Sequence, residues 1–196
     1  SSMPVWMLAV GALFFGAAVT RQQLGGAVLS STGVLIVLSR GEWNQLLALR
    51  LVPGDLFMLM ATASWSFYSW LLVRTSEPAS LRGDWAAFLM AQMVFGLGWS
   101  GAFTGVEWSL GHTQIDWGAP LLAALAFIAV GPAVLAYRCW GVGVQRAGPA
   151  VAGFFVNLTP LFAAVLSAAF LGETPHLFHG VAFAFIVGGI VVSSRR

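Results

Sequence analysis

Charge is scarce in this sequence, and lysine is missing altogether. Nine arginines and seven acidic residues bring the charged fraction to 8%, whereas a soluble domain carries about 25%. The mean hydropathy is +0.86. A chain with so few charges cannot cover itself with polar side chains in water, so its surroundings must be lipid.

Other absences exclude further classes of protein. The single cysteine, Cys139, excludes an internal disulfide. The net charge of +2 comes from arginines scattered at the ends of apolar segments, so we expect no nucleic-acid partner. No basic stretch precedes the first apolar run, which argues against a signal peptide. We expect no cofactor.

The sequence does contain long apolar runs. They approach the length of about 20 residues that a helix needs to cross a membrane, and they lack the alternation of barrel strands. The seven segments are 3–20, 22–39, 53–73, 85–105, 117–141, 147–171 and 177–193. We therefore predict an all-α, polytopic membrane bundle of about seven transmembrane helices.

The sixth segment carries polar residues near its middle. Asn157 lies about 15 Å along a helix that starts near Ala147, and Thr159 and Pro160 follow it. Polar side chains at that depth need partners, so they face either a neighbouring helix or a cavity. Both alternatives stay open from the sequence.

The first 40 residues repeat the pattern of the last 44. The matching pairs at an offset of 156 are Pro4 with Pro160 and Gly16 with Gly172; those at an offset of 155 are Gly25 with Gly180, Gly33 with Gly188, Ser39 with Ser194 and Arg40 with Arg195. Since Pro160 lies near mid-membrane, Pro4 should lie there too. We therefore expect upstream helices to be missing from this chain.

Arginines are distributed unevenly between the two sides that seven alternating spans define. The smaller group is Arg40 and Arg50, and the larger is Arg21, Arg74, Arg82, Arg138, Arg146, Arg195 and Arg196. The positive-inside rule then predicts a cytoplasmic C-terminus. It also predicts that the two hairpins have opposite orientations in the membrane. Inverted repeats are typical of secondary transporters, whose substrate site lies at the midplane.

Two short motifs raise other chemistries. Gly98-Trp99-Ser100-Gly101 matches the GxSG of rhomboid proteases, but the histidines, His112, His176 and His179, lie in loops or at segment ends, whereas the serine needs one at its own depth. Helix packing is the alternative. Glu173, His176 and His179 are possible zinc ligands or a solvated loop. We predict neither a catalytic nor a metal site.

Several stretches resemble the EamA family of the drug/metabolite transporter superfamily. They are NLTPLFAAVLSAAFLGE with HGVAFAFIVGGIVV, GDLFMLMATASWSFYSWLLVR, and YRCWGVGVQRAGPAVAGF. The resemblance implies a ten-helix exporter of small metabolites. Residues 1–40 would be the last two helices of its first repeat, 41–52 a connector, and 53–196 a complete second repeat. The first repeat reads Phe15-Gly16-Ala17 at the LGE turn, so only Glu173 keeps the acidic residue of that structural turn.

We accordingly expect a secondary transporter of small neutral or zwitterionic metabolites that works by alternating access. The expected lining residues are Trp65, Tyr68, Tyr137, Asn157, Thr159 and Pro160. The expected partners are a small-molecule substrate and the lipid bilayer, and a homodimer is possible. The arginine-rich, lysine-free composition favours a bacterial inner membrane. A membrane-embedded enzyme and a non-transporting scaffold are the alternatives.

Overall fold

The computed structural model describes residues 2–42, 44, 52–74, 84–111, 115–172, 174 and 176–194, and within these ranges the chain forms helices and no strands. Each of the seven predicted segments contains a helix, so the predicted helical membrane fold is confirmed. The helices are α1 Met3–Phe15, α2 Arg21–Leu38, α3 Pro53–Arg74, α4 Trp85–Ser109, α5 Ala119–Ile128, α6 Tyr137–Ala147, α7 Pro149–Phe155, α8 Thr159–Leu171 and α9 Leu177–Ser194.

Five helical stretches are long and apolar enough to cross a membrane. They are Pro53–Arg74, Trp85–Ser109, Ala119–Ala147, Pro149–Leu171 and Leu177–Ser194, and α1 is a shorter apolar helix. Most of their large side chains face outward; Leu177 is 92% exposed and Phe170 is 81% exposed. Lipid is the surrounding that accepts such a surface.

Two of these stretches are interrupted at a proline. A π-helical turn, Ala129–Ala136, contains Pro132 and joins α5 to α6. A 3-10 turn, Val156–Leu158, joins α7 to α8 just before Pro160. Proline has no N–H to donate to the carbonyl four residues earlier. The Val156 carbonyl instead accepts from the Thr159 N–H, which tightens the chain at that point.

The described chain divides into two compact units. The first unit comprises Ser1–Arg74 and Gly143–Arg196, and the second comprises Thr75–Val142. The core of the first unit lies where α1, α2, α7, α8 and α9 meet, and its buried residues include Phe154, Ile186 and Val34. Within the second unit, the Arg138 guanidinium lies 4.5 Å from the centroid of the Trp85 ring.

The repeated hairpin is present as two helix pairs of equal length. Helices α1 and α8 have 13 residues each, and α2 and α9 have 18 residues each. The first helix of each pair ends at a left-handed glycine, Gly16 with φ 62° and Gly172 with φ 69°. The first and last residues of α8 and α9 are each 156 positions after those of α1 and α2; α2, for example, begins at Arg21 and α9 at Leu177. The sequence comparison aligned α2 with α9 at an offset of 155, and this part of the prediction was therefore wrong.

Helices α2 and α9 pack against each other through small residues. A Cβ atom on Gly26 would lie 2.6 Å from the Gly189 carbonyl oxygen, and one on Gly33 would lie 2.8 Å from the Ala182 carbonyl oxygen. Gly189 is the repeat counterpart of Gly33, and Ala182 is that of Gly26. The contact is therefore nearly two-fold symmetric and antiparallel, so the two hairpins are inverted relative to each other.

Candidate functional site

The break between α7 and α8 is held to the other repeat by a hydrogen bond. Asn157 lies in the 3-10 turn and is fully buried. Its Nδ2 donates to Ser30 Oγ of α2 at 3.0 Å, and Ser30 is also fully buried. The sequence left two alternatives open for Asn157, a neighbouring helix and a cavity. The amide nitrogen takes the first, because it contacts α2.

The other end of the same amide is not satisfied. Asn157 Oδ1 is buried and has no hydrogen-bond partner among the described residues. Leaving a buried acceptor unpaired costs about 1–3 kcal/mol. Buried orphan groups of this kind call for an explanation, and one at a helix break is a candidate for binding a hydrogen-bond donor.

A cleft of about 790 Å³ opens beside this break in the first unit. Its apolar part is formed by α2, α8 and α9, and its polar part lies at the α8–α9 hairpin. The lining residues are Val37, Arg40, Glu42, Pro160, Ala164, Gly172, Thr174, His176, Phe178 and His179. The volume is in the range of small-molecule sites, about 300–1,000 Å³. Pro160 connects the cleft to the Asn157 turn, because it lies three residues further along the chain.

The two histidines of the hairpin bond to each other at the start of α9. The His176 N–H donates to His179 Nδ1 at 3.0 Å, and the His179 N–H donates to the His176 carbonyl at 3.0 Å. Among the described residues, no group of three or more His, Cys, Asp or Glu side chains is placed to hold a metal ion. Glu173, the predicted turn residue, lies outside the described residues.

The remaining predicted site residues lie on three different helices. Trp65 and Tyr68 lie on α3 with their ring centroids 5.2 Å apart, and both are half-buried. Thr159 is exposed at the start of α8. Tyr137, the first residue of α6, belongs to the second unit and is 37% exposed. Whether these residues bind a solute stays a prediction.

Two contacts between the repeats were not anticipated from the sequence. Trp70 Nε1 of α3 donates to the Met7 carbonyl of α1 at 2.9 Å, and the Trp70 ring occupies the space that a Cβ atom on Gly11 would need. Ser30 was also missed. Its position between Gly26 and Gly33, at the i, i+4, i+7 spacing of one helix face, is the signal that could have found it.

These observations define a polytopic helical membrane protein built around an inverted pair of hairpins. The chain belongs to the EamA-like transporter family, which matches residues 52–195. The family and the names of the relatives below point to a transporter rather than an enzyme. Ser100, of the rhomboid-like motif, lies within α4, which contains no histidine.

The similar proteins are uncharacterized transporters. One is YyaM of Bacillus subtilis (strain 168), 26% identical over 89% of this chain and 55% of the relative. Another is a transporter of Archaeoglobus fulgidus, 23% identical over 89% of this chain and 58% of the relative. A third, YetK of Bacillus subtilis, is 35% identical over 41% of this chain. The chain thus spans little more than half the length of the first two. No solved structure matches it.

Proposed function

We propose that this chain forms part of a secondary transporter that exports small neutral or zwitterionic metabolites by alternating access. Membership of the EamA-like family supports transport. The antiparallel contact of α2 with α9 supports a mechanism in which two inverted repeats move relative to each other. The observation that carries the proposal is the polar helix break at Asn157 and Pro160, which lies between those repeats and beside a cleft.

The residues proposed to contact the solute are the six predicted from the sequence. Asn157 Oδ1 would accept a hydrogen bond from the solute, because this buried acceptor has no hydrogen-bond partner among the described residues. Pro160 keeps the helix broken next to Asn157. Thr159, which directly precedes Pro160, supplies a hydroxyl group. Trp65, Tyr68 and Tyr137 would provide aromatic contacts to the solute, because an apolar lining with few polar groups is usual in small-molecule sites.

The proposed location is a bacterial inner membrane, with the C-terminus in the cytoplasm. The arginine distribution of the sequence supports this orientation. A small solute and lipid are the proposed partners.

Export from intact cells tests the proposal. Cells that express the protein are loaded with labelled amino acids and nucleobases, and the release of each solute is compared with that from cells expressing Asn157→Ala. We expect one solute to leave faster with the native protein and Asn157→Ala to abolish the difference. Thr32→Ala is the matched control, because the Thr32 hydroxyl donates within its own helix, to the Val28 carbonyl at 2.8 Å.

The result that contradicts the proposal is equally definite. If both proteins reach the membrane in equal amounts and the Asn157→Ala cells release every exported solute as fast as the native cells, the helix break does not serve transport. If no solute leaves faster from native cells than from cells without the protein, the scaffold alternative gains.

A further inference from the structure

The polar end of the cleft carries charged and ionisable groups that the proposed function does not use. Arg40 and Glu42 follow the end of α2, and His176 and His179 begin α9; all four line the cleft. Arg40 is also the non-glycine residue with a left-handed backbone among the described residues, at φ 52°. Strained backbone of this kind is often found at functional sites.

The hydrogen bonds of the hairpin determine what His179 can offer. Its Nδ1 accepts from the His176 N–H, so in the neutral ring the proton must be on Nε2, which is then a donor. The equivalent positions of the first hairpin, Thr20 and Gln23, form the same cap, with the Thr20 N–H bonded to Gln23 Oε1 at 3.0 Å. The cap is common to both repeats, but the imidazole is present only in the second.

Arg40 and His179 together present donors and no acceptor to the cleft. A guanidinium has five N–H donors in a planar fork that matches a carboxylate, and His179 adds its Nε2–H. Glu42 also lines the cleft, and its negative charge disfavours a second negative charge on the solute. The cleft therefore has the chemistry to recognise one carboxylate.

We propose that this end of the cleft binds the carboxylate of a small solute, through the Arg40 guanidinium and His179 Nε2–H. The inference rests on the proposed transport function and gives the solute a chemical class. It places charge recognition at the α8–α9 hairpin, apart from the Asn157 turn.

Calorimetric titration of the purified full chain in detergent tests the site with L-alanine, propionate and propylamine as probes. These share a three-carbon skeleton and differ in charge. We expect L-alanine and propionate, which both carry the carboxylate, to bind, and propylamine not to bind. Arg40→Gln should weaken L-alanine and propionate about tenfold or more, the effect of losing a hydrogen bond to a charged group, and Arg40→Lys should weaken them less.

His179→Glu provides a matched test that preserves the fold. A glutamate at this third helical position can still accept from the His176 N–H, as in a capping box, but it replaces a donor by a negative charge. Gln23→Glu makes the same change in the first hairpin. We expect His179→Glu to abolish binding of propionate and Gln23→Glu to leave it unchanged.

Two outcomes overturn the site. One is the absence of binding of L-alanine and propionate to the native chain at millimolar concentrations; the other is binding that Arg40→Gln and His179→Glu leave unaltered. Export of L-alanine from cells is measured separately. Binding that depends on both residues without export supports the site and contradicts transport, whereas export that survives both substitutions contradicts the site and leaves transport standing.

Discussion

Asn157 contributes to this fold through one end of its amide while the other end is unsatisfied. Its Nδ2 bonds to Ser30 Oγ, a residue 127 positions away, and its Oδ1 has no partner among the described residues. A leucine at position 157 would avoid the unpaired acceptor and fit an apolar surrounding. An asparagine here therefore indicates a need for polarity at the helix break beyond stability.

Substitution of Ser30 should be costly because it removes the partner of a buried donor. We expect Ser30→Ala to lower the free energy of unfolding by about 0.6–1.7 kcal/mol, the range for hydrogen bonds between membrane helices. The measurement is denaturant unfolding in detergent micelles. Asn157→Leu with Ser30→Ala should recover part of the loss. Equal stability of Ser30→Ala and the native chain would show that the bond contributes nothing.

At the scale of elements, the close approach of α2 and α9 depends on the absence of side chains at a few positions. The backbone of each helix contacts the other at Gly26 and Gly189, and Gly25 has open space around it. The packing therefore requires a residue without a side chain at Gly26 but not at its neighbour Gly25.

The pair gives a prediction with a built-in control. Gly26→Ala must push α2 away from α9, so we expect it to lower the free energy of unfolding by about 1–3 kcal/mol, as overpacking does. Gly25→Ala should be neutral or stabilise by up to about 1 kcal/mol, because alanine favours the helix. Unfolding curves of both variants provide the measurement. Equal losses at the two positions would contradict the described packing.

The break at Pro160 should separate stability from transport. Pro160→Ala restores an N–H that can donate to the Val156 carbonyl, so we expect an unfolding free energy at least equal to that of the native chain, but loss of export. Pro149→Ala, in the first turn of α7 where an N–H has no helical partner, should leave export unchanged. Full export by Pro160→Ala would show that the break is dispensable.

At the scale of the whole molecule, the sequence was sufficient to predict the helices but not to predict which helices and residues pack against each other. The seven segments and the break before Pro160 were predictable, because apolar length and proline act locally. In lipid, however, a helix is apolar on its buried and on its exposed face, so periodicity does not show which face packs. The small residues around Ser30 mark it as a contact residue, but that its partner is Asn157 was not predictable. The contact of Trp70 with Gly11 and the cleft that joins Arg40 to His179 were not predictable either.

Orientation in the membrane is a whole-molecule prediction that cysteine labelling can test. With Cys139 replaced by alanine, Thr174→Cys lies at the α8–α9 hairpin and Ser194→Cys at the end of α9, and both positions are exposed. We expect an impermeant maleimide to label Thr174→Cys in intact cells and Ser194→Cys only in inverted vesicles. The reverse pattern would place the C-terminus outside.

The symmetric seam between α2 and α9 has a mechanical consequence. At Gly26 and Gly189 backbone meets backbone, so there are no rotamers there to rearrange and no room for the helices to slide closer. We expect such a seam to behave as a stationary axis, about which other helices turn while the distance between α2 and α9 stays constant. A half-turn about the two-fold axis that crosses this seam at right angles exchanges the two hairpins, so we expect the two end states of a transport cycle to be near copies of each other with the roles of the repeats interchanged.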